Sequence, residues 1–277
     1  MCRSSYIFLI LIHLLVACGT TRDVAEKEPS ISENPEIAFI EKIALDPLGQ
    51  LYSVTSDNEI IQYRADGTVG FRYNNNKLGR LGEIDPGNPF NILLYYPDFQ
   101  TIILLDRTLN EQTRIVLSEL DLIDIELVAL GADNLIWLYD AVDIQLKKLD
   151  QAGKISFRSD RLNQLLQDIP QPDQLLAFNT RLFLNDPGRG ILAFDQFGRY
   201  ETTLPVIGAD NLQLINEDRL LYTREGKVYS YDLRAFRESP VDLNITCREN
   251  CQLLVGKEKI FWLENGQLQS RVLRISP

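Results

Sequence analysis

The side chains best able to do chemistry in this chain are carboxylates. Asp57, Asp98, Asp140, Asp186 and Glu264 stand at polar breaks between apolar runs, accompanied by Glu59, Asp143, Arg189, Arg224 and Glu225. Carboxylates collected from separate segments can receive a basic partner segment, a cation or a hydroxyl-rich ligand such as a glycan. To hold a calcium ion they would have to converge within about 2.3 to 2.6 Å of it. In a chain of net charge −11, turn tips are often Asp or Glu for structural reasons alone. The five are therefore expected to splay as a partner-binding rim, with no metal and no catalytic residue assigned. Cys247 and Cys251 are the other candidates. Metal binding by Cys-x-x-x-Cys needs two further soft or imidazole ligands, and none is evident. A disulfide is the simpler expectation in an oxidising compartment. Its short loop would add only about 2 kcal/mol, pinning one loop without holding the fold together. No phosphate loop, nucleophile elbow or Gly-rich dinucleotide turn occurs, so no cofactor is expected.

The start of the chain says where such residues would work. One basic residue, Arg3, precedes an apolar run from Tyr6 to Leu15, and Leu15-Val16-Ala17-Cys18 follows. The run has the length of a secretory core and is too short to span a bilayer. With its small residues before Cys18, the segment resembles the signal of a bacterial lipoprotein. That resemblance implies cleavage before Cys18, a diacylglycerol thioether on its sulfur and an acyl chain (palmitate or similar) on its amine. Loss of residues 1–17 removes Arg3 and the only histidine, His13, leaving a more acidic chain without imidazole. Ser-His-Asp and Cys-His catalysis and the commonest zinc and copper sites are then excluded. Acidic balance also makes nucleic acid and anionic headgroups poor partners. Gly19, where Asp would signal inner-membrane retention, implies delivery to the outer membrane, facing the periplasm or the cell surface. Residues 18–36 lack large apolar side chains and read as a flexible tether with a span of roughly 20 to 25 Å.

The body, residues 37–277, shows no sustained helical period. Short apolar runs alternate with turn residues, which indicates an all-β domain. Leu51-Tyr52-Ser53, Leu93-Leu94-Tyr95, Leu135-Ile136-Trp137, Leu182-Phe183-Leu184, Leu220-Leu221-Tyr222 and Ile260-Phe261-Trp262 recur about every 40 residues. Asp turns follow five of them, as in Leu149-Asp150-Gln151-Ala152-Gly153 and Phe194-Asp195-Gln196-Phe197-Gly198. Such a period predicts a six-bladed β-propeller of four-stranded blades, with consecutive apolar positions because each blade is buried on both faces. The first unit, IALDPLGQLYSVTSDNEIIQYRADGTV, resembles NHL-type and related propeller repeats. In that family the last blade is often completed from the other terminus, which implies that Glu36 to Ile40 closes the ring.

Propeller partners approach the face formed by the hairpins between second and third strands and by the connections between blades. The longest polar connection, Ser159 to Gln174, carries Leu162, Leu165 and Leu166 on one helical face, with Ser159 or Asp160 as N-cap and Pro170 and Pro172 as stops. An uncovered apolar face there would be a docking surface. These features favour a lipid-anchored, non-catalytic binding or assembly module whose partner is an outer-membrane or other envelope protein. The alternatives are a metal-dependent lactonase- or lyase-type propeller enzyme and a glycan- or small-ligand-binding lipoprotein.

Overall fold

A computed structural model of the chain describes residues 39–245 and 251–273. It is a six-bladed β-propeller of antiparallel sheets. Blade one contains β1 (Ile40–Leu45), β2 (Leu51–Thr55), β3 (Glu59–Tyr63) and β4 (Val69–Asn74); blade two, β5 (Glu83–Asp85), β6 (Ile92–Tyr96), β7 (Thr101–Leu105) and β8 (Glu111–Val116). Blade three has β9 (Ile125–Leu130), β10 (Ile136–Asp140), β11 (Gln145–Leu149) and β12 (Ile155–Arg158); blade four, β13 (Gln174–Phe178), β14 (Arg181–Asp186), β15 (Gly190–Asp195) and β16 (Tyr200–Leu204). Blade five has β17 (Asp210–Asn216), β18 (Arg219–Arg224), β19 (Lys227–Asp232) and β20 (Arg237–Val241), and blade six β21 (Gln252–Val255), β22 (Lys259–Glu264) and β23 (Gln267–Val272). Each apolar triplet of the repeat lies in or at the edge of the second strand of its blade.

Burial on both faces accounts for that composition. Every residue of β2, β6 and β10 is buried, whereas the fourth strand β4 is mostly exposed. The core consists of six apolar layers, one per seam between neighbouring blades. Residues of blade one, among them Ile43 and Tyr63, pack on Phe261 and Leu263 of blade six and so close the ring.

The Asp turns are structural. Asp46 Oδ1 accepts the amides of Leu48 and Gln50 at 2.9 and 2.8 Å, and Asp195 Oδ1 those of Phe197 and Arg199 at 2.9 Å each. The glycine closing each of these turns has positive φ: +84° at Gly49 and +73° at Gly198.

Two details differ from the sequence reading. Ile40 belongs to the innermost strand of blade one and so is not part of an outer strand of blade six; residues 36–38 of the expected closing segment lie outside the described residues. Among the described residues blade six has three strands. The helix between blades three and four spans only Leu162–Leu166, and its N-cap is Arg161, without a side-chain cap bond, instead of Ser159 or Asp160. Ser159 is otherwise engaged, its hydroxyl accepting the Leu146 amide at 2.9 Å.

Candidate functional site

The first strands of the blades surround the central channel and begin at the face that also carries the hairpins between second and third strands. At that mouth lies a cavity of about 180 Å³ lined by Lys42, Glu83, Glu126, Asp173, Gln174 and Tyr95, among others. Lys42 donates to the Gly82 carbonyl and stands 3.5 Å from Glu83. Glu83 is surrounded by blades yet faces the channel, with 42% of its side chain accessible. Burial raises its pKa, Lys42 opposes the rise and Asp85 adds to it. Burial, then Asp124, raises Glu126; burial likewise raises Asp173, opposed by a 2.7 Å hydrogen bond from Asn185. Three carboxyls and one ammonium thus share this mouth; Glu126 and Asp173 are exposed to solvent there, and partial burial with neighbouring like charge is what raises them. The arrangement suits a cationic or hydroxyl-bearing group.

Sequence reasoning set a ring of acidic residues around the channel mouth, but none of its five carboxylates lines this cavity. Asp57 is exposed at the β2–β3 hairpin. Asp98 is also exposed, and its Oδ2 accepts the Arg80 amide at 3.1 Å. Asp140 is buried, paired with the Lys147 ammonium at 2.6 Å. Asp186 is buried too, accepting the Gln171 and Gly188 amides at 3.1 Å, with Arg189 at 3.5 Å. Glu264 is half-buried at the end of β22. The five therefore do not form one exposed ring: Asp140 and Asp186 are structural, a correction to the expected rim. Among the described residues, no three Asp, Glu, Cys or His side chains are grouped so that they could hold a metal ion.

The helical leucines divide similarly. Leu162 is buried and Leu166 half-buried in the layer between blades three and four, while Leu165 keeps 45% exposure. Cys18 and Cys247 lie outside the described residues; Cys251 is buried in the layer between blades five and six.

The sequence reading missed an apolar set on the hairpin face. Phe99 at the β6–β7 hairpin, Ile123 before β9, Val142 at the β10–β11 hairpin, Ile169 before β13 and Ile207 before β17 are 49 to 73% exposed. They run with Leu165 around blades two to five. Their common signal was position: each large apolar residue sits in a loop on the same side of the repeat.

No protein-family model matches the sequence, and no curated protein matches it. The fold is similar to solved propellers. A streptogramin B lyase structure aligns with TM-score 0.60 and 13% identity over 90% of this chain and 87% of that one. A catalytically inactive virginiamycin B lyase variant from Staphylococcus aureus, a histidine-to-alanine replacement bound to quinupristin, aligns with TM-score 0.59 and 13% identity over 86% and 81%. PorZ, a bacterial surface component of the type-IX secretion system of Porphyromonas gingivalis, aligns with TM-score 0.51 and 15% identity over 86% of this chain and 33% of its own.

Proposed function

We propose that this chain is a lipid-anchored, non-catalytic protein-binding module of the bacterial outer membrane, taking a partner segment on the hairpin face of the propeller. The observation that carries this reading is the run of exposed apolar residues Phe99, Ile123, Val142, Leu165, Ile169 and Ile207 on consecutive blades of the hairpin face, next to its exposed carboxylates; Leu48, Phe90, Phe197 and Phe236 are comparably exposed on the opposite face and supply the control. Large apolar residues interspersed with exposed carboxylates such as Asp57, Asp98 and Asp124 suit a partner segment that pairs apolar with basic side chains. The lipoprotein-like signal supports the anchor at Cys18, and PorZ shows that a propeller-bearing protein can serve a secretion system at a bacterial surface. Cys247 and Cys251 pair as a disulfide in this reading.

The test is affinity capture of the acylated protein from detergent-solubilised outer membranes, comparing Phe99→Ser/Ile123→Ser with Leu48→Ser/Phe90→Ser. The second pair lies on the opposite face and is equally exposed. A stoichiometric partner lost only with the first pair supports the reading. Equal capture by both variants, or a wild-type protein recovered unacylated in the soluble periplasm, overturns it.

The cavity at the channel mouth favours one second reading, a small-ligand site or lyase-type enzyme. The lyase neighbour whose histidine variant is inactive marks the difficulty, since His13 is the only histidine of this chain and precedes the expected cleavage point. Turnover of a ligand that is lost with Glu126→Gln and Asp173→Asn would favour that alternative.

A further inference from the structure

The net charge of −11 is spread unevenly over the two faces of the ring. Loops on the hairpin face carry mainly carboxylates, among them exposed Asp57, Asp98, Asp121 and Asp124. The opposite face is built from the turns that join first to second and third to fourth strands. Every blade places an exposed cation in one of those turns: Arg64, Arg107, Lys154, Arg199, Arg234 and Lys257. Most carboxylates of the same turns are folded back onto the protein. Asp66 Oδ1 accepts the Thr68 amide at 2.9 Å and Asp106 Oδ1 the Thr108 amide at 2.8 Å. Asp133 is held by the Lys148 ammonium at 2.5 Å, Glu217 accepts the Asn179 side-chain amide at 2.8 Å, and Asp218 pairs with Arg234 at 2.6 Å; Glu258 is exposed. Arginine and lysine also reach farther from the backbone than aspartate, so phosphate oxygens brought to this face meet cations before carboxylates.

Large apolar side chains stand among these cations. Leu48, Phe90, Phe197 and Phe236, on blades one, two, four and five, are 63 to 66% exposed. Each sits in a turn, at a convex tip. Such a tip offers a protein partner no groove, but it can enter the headgroup layer of a bilayer without one. Phe236 has φ +51°, in the left-handed region that a bulky side chain seldom adopts. Glycine or asparagine would serve that turn better, and a ring 65% exposed gains little packing in exchange. The fold therefore does not account for the phenylalanine.

We propose that the turn face rests on a phospholipid bilayer, with the four apolar tips in the headgroup layer and the cations against phosphate oxygens. The acidic hairpin face then points away from the membrane, toward its partner. This orientation rests on the anchor of the function proposed above, which keeps a bilayer within reach. Chain length does not dictate the face. Phe39 enters beside the tip of the β22–β23 hairpin, where the Ile40 amide donates to the Gly266 carbonyl at 3.3 Å. The 20 residues between Cys18 and Phe39 can reach roughly 66 Å when extended, against a height of about 17 Å for a five-residue strand.

Tryptophan quenching tests the face, in vesicles of phosphatidylethanolamine and phosphatidylglycerol that contain brominated phospholipid. Two preparations are compared: the acylated protein, and the unacylated chain from Cys18 onward coupled through the Cys18 thiol to a maleimide lipid. Emission of Trp137 and Trp262 is subtracted as measured in the unaltered protein. The tryptophan of Phe90→Trp or Phe197→Trp should be quenched at least ~2-fold, while that of Ile123→Trp or Val142→Trp on the hairpin face should keep its emission. Adding Arg107→Glu/Arg199→Glu should return Phe90→Trp to the hairpin-face level. Absence of turn-face quenching in the coupled chain, equal quenching on both faces, or quenching that charge reversal leaves unchanged would overturn the proposal. Turn-face quenching in the coupled chain but not in the protein prepared for acylation would uphold this face and refute the anchor instead.

Discussion

Lys147 and Asp140 bring opposite charges to a point in blade three where their side chains keep only 5% and 4% exposure, and Asp143 adds a second carboxylate to Lys147 at 2.5 Å. Removing one member of such a pair leaves the other charged and desolvated, which typically costs about 3 to 5 kcal/mol. Lys147→Met should lose that much in urea unfolding, and Lys147→Met/Asp140→Leu should recover a substantial part of it. A single variant as stable as the parent would show that the pair is solvated. Glu126 is a different kind of residue: it is exposed at the channel, and partial burial, then Asp124, raises its pKa. A carboxyl with raised folded pKa contributes stability that is complete below its unfolded value, about 4.3, and is lost as pH rises through the folded value. Glu126→Gln should therefore raise the thermal midpoint at pH 7, with the gain fading below pH 4; no gain at pH 7 would mean that the channel solvates this carboxylate fully. Asp140 and Asp186 looked in the sequence like Asp57 and Asp98, because all four flank hairpins. What separates them is the partner each meets in space. Consecutive lysines in the otherwise apolar Leu146-Lys147-Lys148-Leu149 run were the available hint that carboxylates had to turn inward.

The elements were far more legible than the site. Apolar triplets identified second strands because both faces of each blade are buried, and the Asp turns identified the hairpins because their side chains satisfy local amides. Equal turns nevertheless carry unequal packing. Gly67 has φ +84° and open space where a Cβ would stand. Gly198 has φ +73°, but a Cβ there would overlap Phe157 and come within 3.0 Å of Trp137 in the neighbouring blade. Both positions should lose roughly 1 to 2 kcal/mol on substitution by Ala for the left-handed backbone alone. Gly198→Ala should lose about 1 to 3 kcal/mol more for overpacking the seam. Equal midpoints in denaturant for Gly67→Ala and Gly198→Ala would refute that account. The short helix was only half legible: Leu162 and Leu166 follow its apolar spacing into the core, but five residues cannot bury a third leucine, and Leu165 remains outside.

At the scale of the whole ring, one seam differs from the rest. Among the described residues, five junctions between neighbouring blades are crossed by the backbone of a connection, whereas blades six and one meet through side chains and the backbone bond from Ile40 to Gly266. Side chains of the inner strands supply hydrogen bonds at these seams. Gln174 exchanges two bonds of 2.9 Å with the Leu212 backbone, Gln213 bonds Val255 at 2.9 and 3.0 Å, and Asp85 accepts the Leu130 amide at 2.8 Å. At the closing seam Gln252 Oε1 accepts the amide of buried Ile43 at 2.8 Å. None of this was readable from the repeat, since a glutamine at the start of a strand carries no mark of the neighbour it will serve. Gln252→Leu strands a buried N–H and should cost about 1 to 3 kcal/mol. Gln213→Leu frees two backbone groups and should cost at least as much, but its seam stays tethered by the connection between β20 and β21. The two should therefore part company in local opening. Amide exchange in β1 and β22 should accelerate in Gln252→Leu beyond what its loss of global stability accounts for, whereas Gln213→Leu should speed exchange across the ring in proportion to its global loss. Uniform acceleration in both variants would mean that the apolar layer of Ile43, Tyr63, Phe261 and Leu263 closes the ring without help from Gln252.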